Sequence, residues 1–122
     1  MTKLLYIEDD RLNIRLIQKM LTGAGFEMHI AANGKEGLDK VYELRPDVVL
    51  MDVNLPDING LELTTQIKAE PQISNTKIVA LTANNLMGDR EKALKAGCDE
   101  YLAKPTSRHE LIRTLKSVAH PT

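Results

Sequence analysis

The sequence predicts an α/β fold in which five parallel strands alternate with five helices. Short apolar runs alternate along the chain with longer segments of helical period, which is the pattern of a parallel α/β sheet. The third apolar run is uninterrupted, as expected for a strand that is covered on both faces. The predicted strands occupy residues 3–7, 27–31, 47–51, 77–81 and 100–103.

Helices are predicted in the segments between these strands. The first should span residues 12–24, because Ile14, Ile17 and Leu21 share one face and two glycines follow. The second follows an Asn-Gly turn and stops before Pro46. The remaining helices are expected at residues 61–69, 89–96 and 107–119.

Composition narrows the class of protein. A chain of 122 residues with 43% hydrophobic and 27% charged residues suits one globular domain, spanning residues 1–122. A net charge of -1 without a basic cluster argues against direct binding to nucleic acid. The single cysteine excludes an internal disulfide and a cysteine-based zinc site. The first apolar run is too short for a signal peptide or a membrane span. We therefore expect a cytoplasmic protein without a membrane partner, and the initial Met1 favours a free-standing one.

Chemistry-bearing residues follow four of the five predicted strands. They are Glu8 and Asp9 after the first, Asp52 after the third, Thr82 after the fourth and Lys104 after the fifth. In open α/β sheets, ligands bind outside the carboxyl ends of the strands, where the strand order reverses. If the strand order is 2-1-3-4-5, these four strands are neighbours and their polar side chains converge at one edge of the sheet.

The converging carboxylates predict a Mg²⁺ site with a carboxylate nucleophile. Like charges in one site raise a pKa unless a cation compensates, and Mg²⁺ combines one or two carboxylates with water and phosphate oxygens. The sequence has no Gly-rich phosphate loop and no strand-end Ser or Cys with an activating His. We expect Asp52 to be ionised at neutral pH and to form an aspartyl phosphate. Lys104 can neutralise charge on the phosphoryl group, and the Thr82 hydroxyl can donate to one of its oxygens.

Four segments carry a resemblance to a known family. They are residues 7–10 (IEDD), 50–56 (LMDVNLP) with Asn-Gly at 59–60, 80–83 (ALTA) and 97–105 (GCDEYLAKP). Together and in this order they resemble the receiver domain of two-component response regulators, over essentially the whole chain. The resemblance implies the flavodoxin-like (βα)5 fold, with a five-stranded parallel sheet in order 2-1-3-4-5 and helices on both faces.

The resemblance also implies a role for each residue of the acidic cluster. Asp52 would be the phosphoacceptor. Asp9, Asp52 and the backbone carbonyl of Asn54 would hold Mg²⁺, with Glu8 assisting through water.

The remaining implied roles concern switching. Thr82 would move toward a phosphoryl oxygen, Lys104 would pair with the phosphoryl group, and Tyr101 would exchange between exposed and buried rotamers as the readout. The peptide bond between Lys104 and Pro105 is expected to be cis. The phosphoryl donor would be a histidine kinase or a histidine phosphotransfer protein. A downstream protein target would bind the face made by the fourth helix, the fifth strand and the fifth helix.

Plainer interpretations of single residues stay open. The acidic run after the first strand could cap the first helix, a role that we expect for Asp10. Thr82 could be an ordinary strand residue or a cap of the fourth helix, Lys104 a solvated turn lysine, and Tyr101 a half-buried strand aromatic. Asn84 is a candidate for setting the phosphoryl lifetime together with Asn54. The apolar pair Leu86-Met87 could belong to the core or form a surface for a partner.

Two alternative functions stay open as well. One is a receiver-like interaction module that works without phosphorylation. The other is a phosphatase with an aspartyl nucleophile, but that class needs a second acid two residues after the nucleophile, where Asn54 stands. We therefore expect a protein that is not an enzyme and promotes only its own phosphoryl transfer and dephosphorylation.

Overall fold

The structure is a computed structural model that describes residues 1–83 and 87–121. The hypotheses on Asn84 and Leu86 fall outside these residues. The strands are β1 (Thr2–Ile7), β2 (Phe26–Ala31), β3 (Val48–Asp52), β4 (Ile78–Thr82) and β5 (Glu100–Ala103). The helices are α1 (Arg11–Leu21), α2 (Gly34–Leu44), α3 (Gly60–Ala69), α4 (Asp89–Ala96) and α5 (Arg108–Ala119).

The five strands form one parallel sheet in the order β2-β1-β3-β4-β5, which confirms the predicted topology. The register aligns the carboxyl ends of four strands. Ile7 pairs with Met51, so that the residue after β1 lies level with Asp52, and Asp52 itself pairs with Leu81. Thr82 pairs with Ala103, one residue before Lys104.

The core has two halves, one on each face of the sheet. Alternate residues of β1 point to opposite faces, as strand geometry requires. Leu5 and Ile7 pack on the side covered by α2, α3 and α4. Leu4 and Tyr6 pack on the side covered by α1 and α5. Helices on both faces were predicted, and the structure confirms them.

The ends of several elements differ from the sequence prediction. The predicted end of the first helix at residue 24 is wrong, because α1 stops at Leu21 and Thr22 leaves helical geometry with ψ 128°. Gly23 and Gly25 then take positive φ values of 79° and 88°. Asp10 caps α1 as expected, accepting hydrogen bonds from the backbone N–H groups of Leu12 and Asn13.

Strands β3 and β4 are shifted by one residue relative to the prediction. They begin at Val48 and Ile78 and include Asp52 and Thr82 as their last residues. Both side chains therefore belong to the regular sheet, where the ladder fixes their directions. Within the described residues, no helix has the length and apolar character needed to cross a membrane.

Candidate functional site

Three acidic side chains meet at the carboxyl edge of the sheet. Glu8 and Asp9 follow β1, and Asp52 closes β3. One carboxylate oxygen from each lies within 4.8 Å of the others. Glu8 and Asp52 are only 1% and 5% exposed, whereas Asp9 is open to solvent. The structure thus combines two buried acids and one accessible acid.

The turn after β3 contacts both the side chain and the backbone of Asp52. The backbone N–H of Asn54 donates to Asp52 Oδ1 over 3.1 Å. The N–H of Gly60, at the start of α3, donates to the carbonyl oxygen of Val53 over 2.8 Å. A Cβ atom at position 60 would overlap the carbonyl oxygen of Asp52, so only glycine permits this approach.

Lys104 reaches across the edge of the sheet to the acidic cluster. Its ammonium Nζ donates to Glu8 Oε1 over 3.2 Å, and its side chain is 22% exposed. The alternative of a freely solvated turn lysine is therefore wrong. The Lys104–Pro105 peptide bond is cis, as the family resemblance implied.

Tyr6 contacts the acidic cluster, which was not recognised from the sequence. Its hydroxyl donates to the same oxygen, Glu8 Oε1, over 3.0 Å. Burial, followed by the charge of Glu8, raises the pKa of Tyr6, so that its hydroxyl stays protonated. In the sequence, Tyr6 stands within an apolar run. Its two-residue spacing from Glu8 on one strand face was the available signal.

The electrostatics of Asp52 differ from the expectation of an ionised carboxylate. Burial first, and then the hydrogen bond shared with Glu8, raise the pKa of Asp52 to about 7. Burial also acts to raise the pKa of Glu8, but the hydrogen bond with Asp52 and the charge of Lys104 outweigh it and leave that pKa lowered. With Lys104 as the neighbouring cation, Asp52 is therefore only partly ionised at neutral pH unless a further positive charge enters the site.

Thr82 ends the strand next to that of Asp52, and Tyr101 lies in the following strand, β5. Thr82 is 4% exposed, and its carbonyl oxygen accepts a hydrogen bond of 2.7 Å from the backbone N–H of Lys104. Tyr101 is 8% exposed and packs in the core half under α2, α3 and α4. Both line a cavity of about 210 Å³ together with Asn54 and Asn59.

The alternative that Thr82 caps the fourth helix is wrong. Helix α4 begins at Asp89 after Gly88, which occupies the capping position in a left-handed conformation and makes no side-chain capping bond. In this structure Tyr101 takes the buried position of the two that the resemblance implied.

The chain matches a family model and several known proteins over most of its length. Residues 4–116 match the model described as response regulator receiver domain. The polar-differentiation response regulator DivK of Brucella anthropi is 38% identical over 111 residues, covering 91% of this chain and 90% of that protein.

Solved structures give the same match in three dimensions. A putative response regulator from Chloroflexus aurantiacus superposes with a TM-score of 0.91 at 33% identity, covering 97% of each chain. A second structure is the receiver domain of a sensor histidine kinase from Pseudomonas aeruginosa, solved with a magnesium ion coordinated in its active-site cleft. It superposes with a TM-score of 0.87 at 38% identity, covering 97% of each chain.

Proposed function

The chain belongs to the response-regulator receiver-domain family, and from that premise we propose that it is a signalling switch controlled by phosphorylation of Asp52. The observation that carries the proposal is the acidic cluster of Glu8, Asp9 and Asp52 with the ammonium of Lys104 at its edge. In the proposed cycle, a phosphohistidine of a histidine kinase or a histidine phosphotransfer protein is the donor. The phosphorylated form then presents an altered surface to a protein target.

The donor set of the site suits Mg²⁺. Hard carboxylate oxygens within 4.8 Å of one another, one of them solvent-accessible, match the preference of this ion for oxygen ligands and retained water. We assign Asp9, Asp52 and the backbone carbonyl of Asn54 as ligands, with Glu8 acting through water. Bound Mg²⁺ would offset the repulsion between the carboxylates and stabilise charge on phosphoryl oxygens.

In the transfer step, an Asp52 oxygen forms a bond to phosphorus while the N–P bond of the donor phosphohistidine breaks. The imidazole nitrogen keeps the electron pair of that bond. Lys104 leaves Glu8 and pairs with a phosphoryl oxygen, and the Thr82 hydroxyl donates to another. Neither side chain needs to travel far, because Asp52 and Thr82 end adjacent strands and Lys104 already contacts the cluster.

The switch is proposed to run from Thr82 to Tyr101 and on to the face of α4, β5 and α5. Both residues line the same cavity, so a shift of Thr82 changes the space available to the Tyr101 ring. Moving a two-state domain from about 1:99 to 99:1 requires about 5.5 kcal/mol of preference for the active state. The exposed apolar side chains of Met87, two residues before α4, and of Leu94, within α4, offer a contact surface to a protein target.

The test is incubation with acetyl phosphate and Mg²⁺, followed by intact-mass measurement. We expect the mass of one phosphoryl group to be added to the wild type and not to Asp52→Ala. An unchanged mass in the wild type would favour the interaction module that works without phosphorylation. Sustained turnover of a generic phosphoester would favour the phosphatase alternative, against which Asn54 stands at the place of the required second acid.

A further inference from the structure

Tyr6 is the buried residue that links the sheet interior to the acidic cluster. It is 0% exposed and lies on the face of β1 that α1 and α5 cover. Glu8 follows two residues later and so emerges on the same face. Because strand side chains lean along the strand direction, the Tyr6 hydroxyl reaches Glu8 Oε1 at 3.0 Å.

The two oxygens of the Glu8 carboxylate accept different hydrogen bonds. Oε1 accepts from both Tyr6, at 3.0 Å, and Lys104, at 3.2 Å. Oε2 accepts a long backbone hydrogen bond of 3.4 Å from Asp10. With the side chain of Glu8 only 1% exposed, bulk water has little access to replace a lost donor.

We propose that Tyr6 is a positioning residue, whose hydroxyl keeps Glu8 hydrogen-bonded when Lys104 moves from Glu8 to the phosphoryl group. This inference rests on the proposed function. Asp52 cannot donate to Glu8 once it carries the phosphoryl group, so without the Tyr6 hydroxyl the departure of Lys104 would leave Oε1 with no side-chain donor among the described residues. An unpaired buried carboxylate oxygen costs free energy. Loss of the hydroxyl should therefore destabilise the activated state and leave the resting state nearly unchanged.

The test compares wild type with Tyr6→Phe, which removes only the hydroxyl. Beryllofluoride, a phosphoryl mimic, is titrated in saturating Mg²⁺ and followed by ¹⁹F NMR, and Mg²⁺ alone is titrated separately. We expect about tenfold weaker beryllofluoride binding in the variant, equivalent to about 1.4 kcal/mol. The affinity for Mg²⁺ alone should be nearly unchanged, because Lys104 still pairs with Glu8 in that state.

A matched control and a double-mutant cycle separate positioning from packing. Tyr42→Phe removes another tyrosine hydroxyl, which donates to Glu70 away from the site, and should leave both titrations unchanged. In a Glu8→Gln background, Tyr6→Phe should lose most of its effect, because the charge that needs the hydroxyl is gone. Urea unfolding in EDTA verifies that each variant is folded.

Three results would overturn the role of Tyr6. They are equal beryllofluoride affinity in wild type and Tyr6→Phe, parallel weakening of beryllofluoride and Mg²⁺ binding, and a full Tyr6→Phe effect in the Glu8→Gln background. A wild type that binds Mg²⁺ but no beryllofluoride would instead overturn the proposed function.

Discussion

Lys104 and Glu8 form an ion pair between residues 96 positions apart, with Nζ and Oε1 separated by 3.2 Å. Two strands, β3 and β4, lie between the strands that these residues follow. The pair holds the lysine ammonium at the acidic cluster. Under the proposed function, activation would therefore exchange one partner of Lys104 for another and would recruit no distant charge.

Replacing Lys104 should affect both stability and phosphorylation. Lys104→Ala leaves the buried Glu8 carboxylate without its cation, and we expect unfolding in EDTA to be easier by about 1–3 kcal/mol. Phosphorylation by acetyl phosphate should become at least ~10-fold slower, since charge on the phosphoryl group loses its partner. Urea unfolding and intact-mass kinetics measure the two effects.

Lys35→Ala, at an exposed position on α2, is the control and should change neither quantity. A Lys104→Ala variant with the stability and phosphorylation rate of wild type would contradict the importance of the ion pair.

The raised pKa of Asp52 predicts a pH-dependent gain of stability in Asp52→Asn. The pKa rises from the ordinary 3.8 to about 7 on folding, so the protonated carboxyl contributes stability below pH 4. That contribution is lost as the pH rises through 7. In EDTA, the free energy of unfolding of the asparagine variant should therefore rise relative to that of wild type between pH 4 and 7. The difference should reach roughly 2–4 kcal/mol at pH 8. Urea unfolding across this pH range measures the difference, and a gain independent of pH would contradict it.

Mg²⁺ should stabilise the fold through the acidic cluster. At a concentration 100 times the dissociation constant, a ligand of the native state adds about 2.7 kcal/mol. Thermal unfolding with Mg²⁺ or EDTA should show this shift in wild type and a much smaller shift in Asp9→Asn. Asp39→Asn, an exposed acid on α2, serves as the control and should keep the full shift. Equal shifts in wild type and Asp9→Asn would remove Asp9 from the metal site.

Gly60 should be required for the geometry of Asp52. A Cβ in Gly60→Ala would overlap the Asp52 carbonyl oxygen, which must then move. We expect a loss of about 1–3 kcal/mol in unfolding free energy together with weaker beryllofluoride binding. Gly23→Ala, at φ 79° in open space, should cost about 1 kcal/mol and leave that binding unchanged. The proposed coupling fails if the two variants behave alike in the binding assay.

Much of the fold could be predicted because its signals are local. Continuous apolar runs and breaker residues placed five strands and five helices, and Asp52 and Thr82 at the strand ends pointed to one edge of the sheet. The end of α1 was missed by three residues, because the spacing of apolar residues allows a helix to reach Ala24 while the backbone leaves helical geometry at Thr22.

The contacts within the site could not be predicted in the same way. Tyr6 and Lys104 both donate to Glu8 Oε1. Their side-chain directions depend on the assembled sheet. The raised pKa of Asp52 depends on burial beside Glu8 and not on residue type, so the sequence could not supply it.

The position of the phosphoryl group shows whether Asp52 is the phosphoacceptor. After incubation with acetyl phosphate and Mg²⁺, borohydride reduction converts an aspartyl phosphate to homoserine, which peptide mass spectrometry assigns to a position. We predict homoserine at position 52, dependent on Mg²⁺ and absent in EDTA. Homoserine at position 9 instead, or no reduction product anywhere in the chain, would show that Asp52 is not the phosphoacceptor.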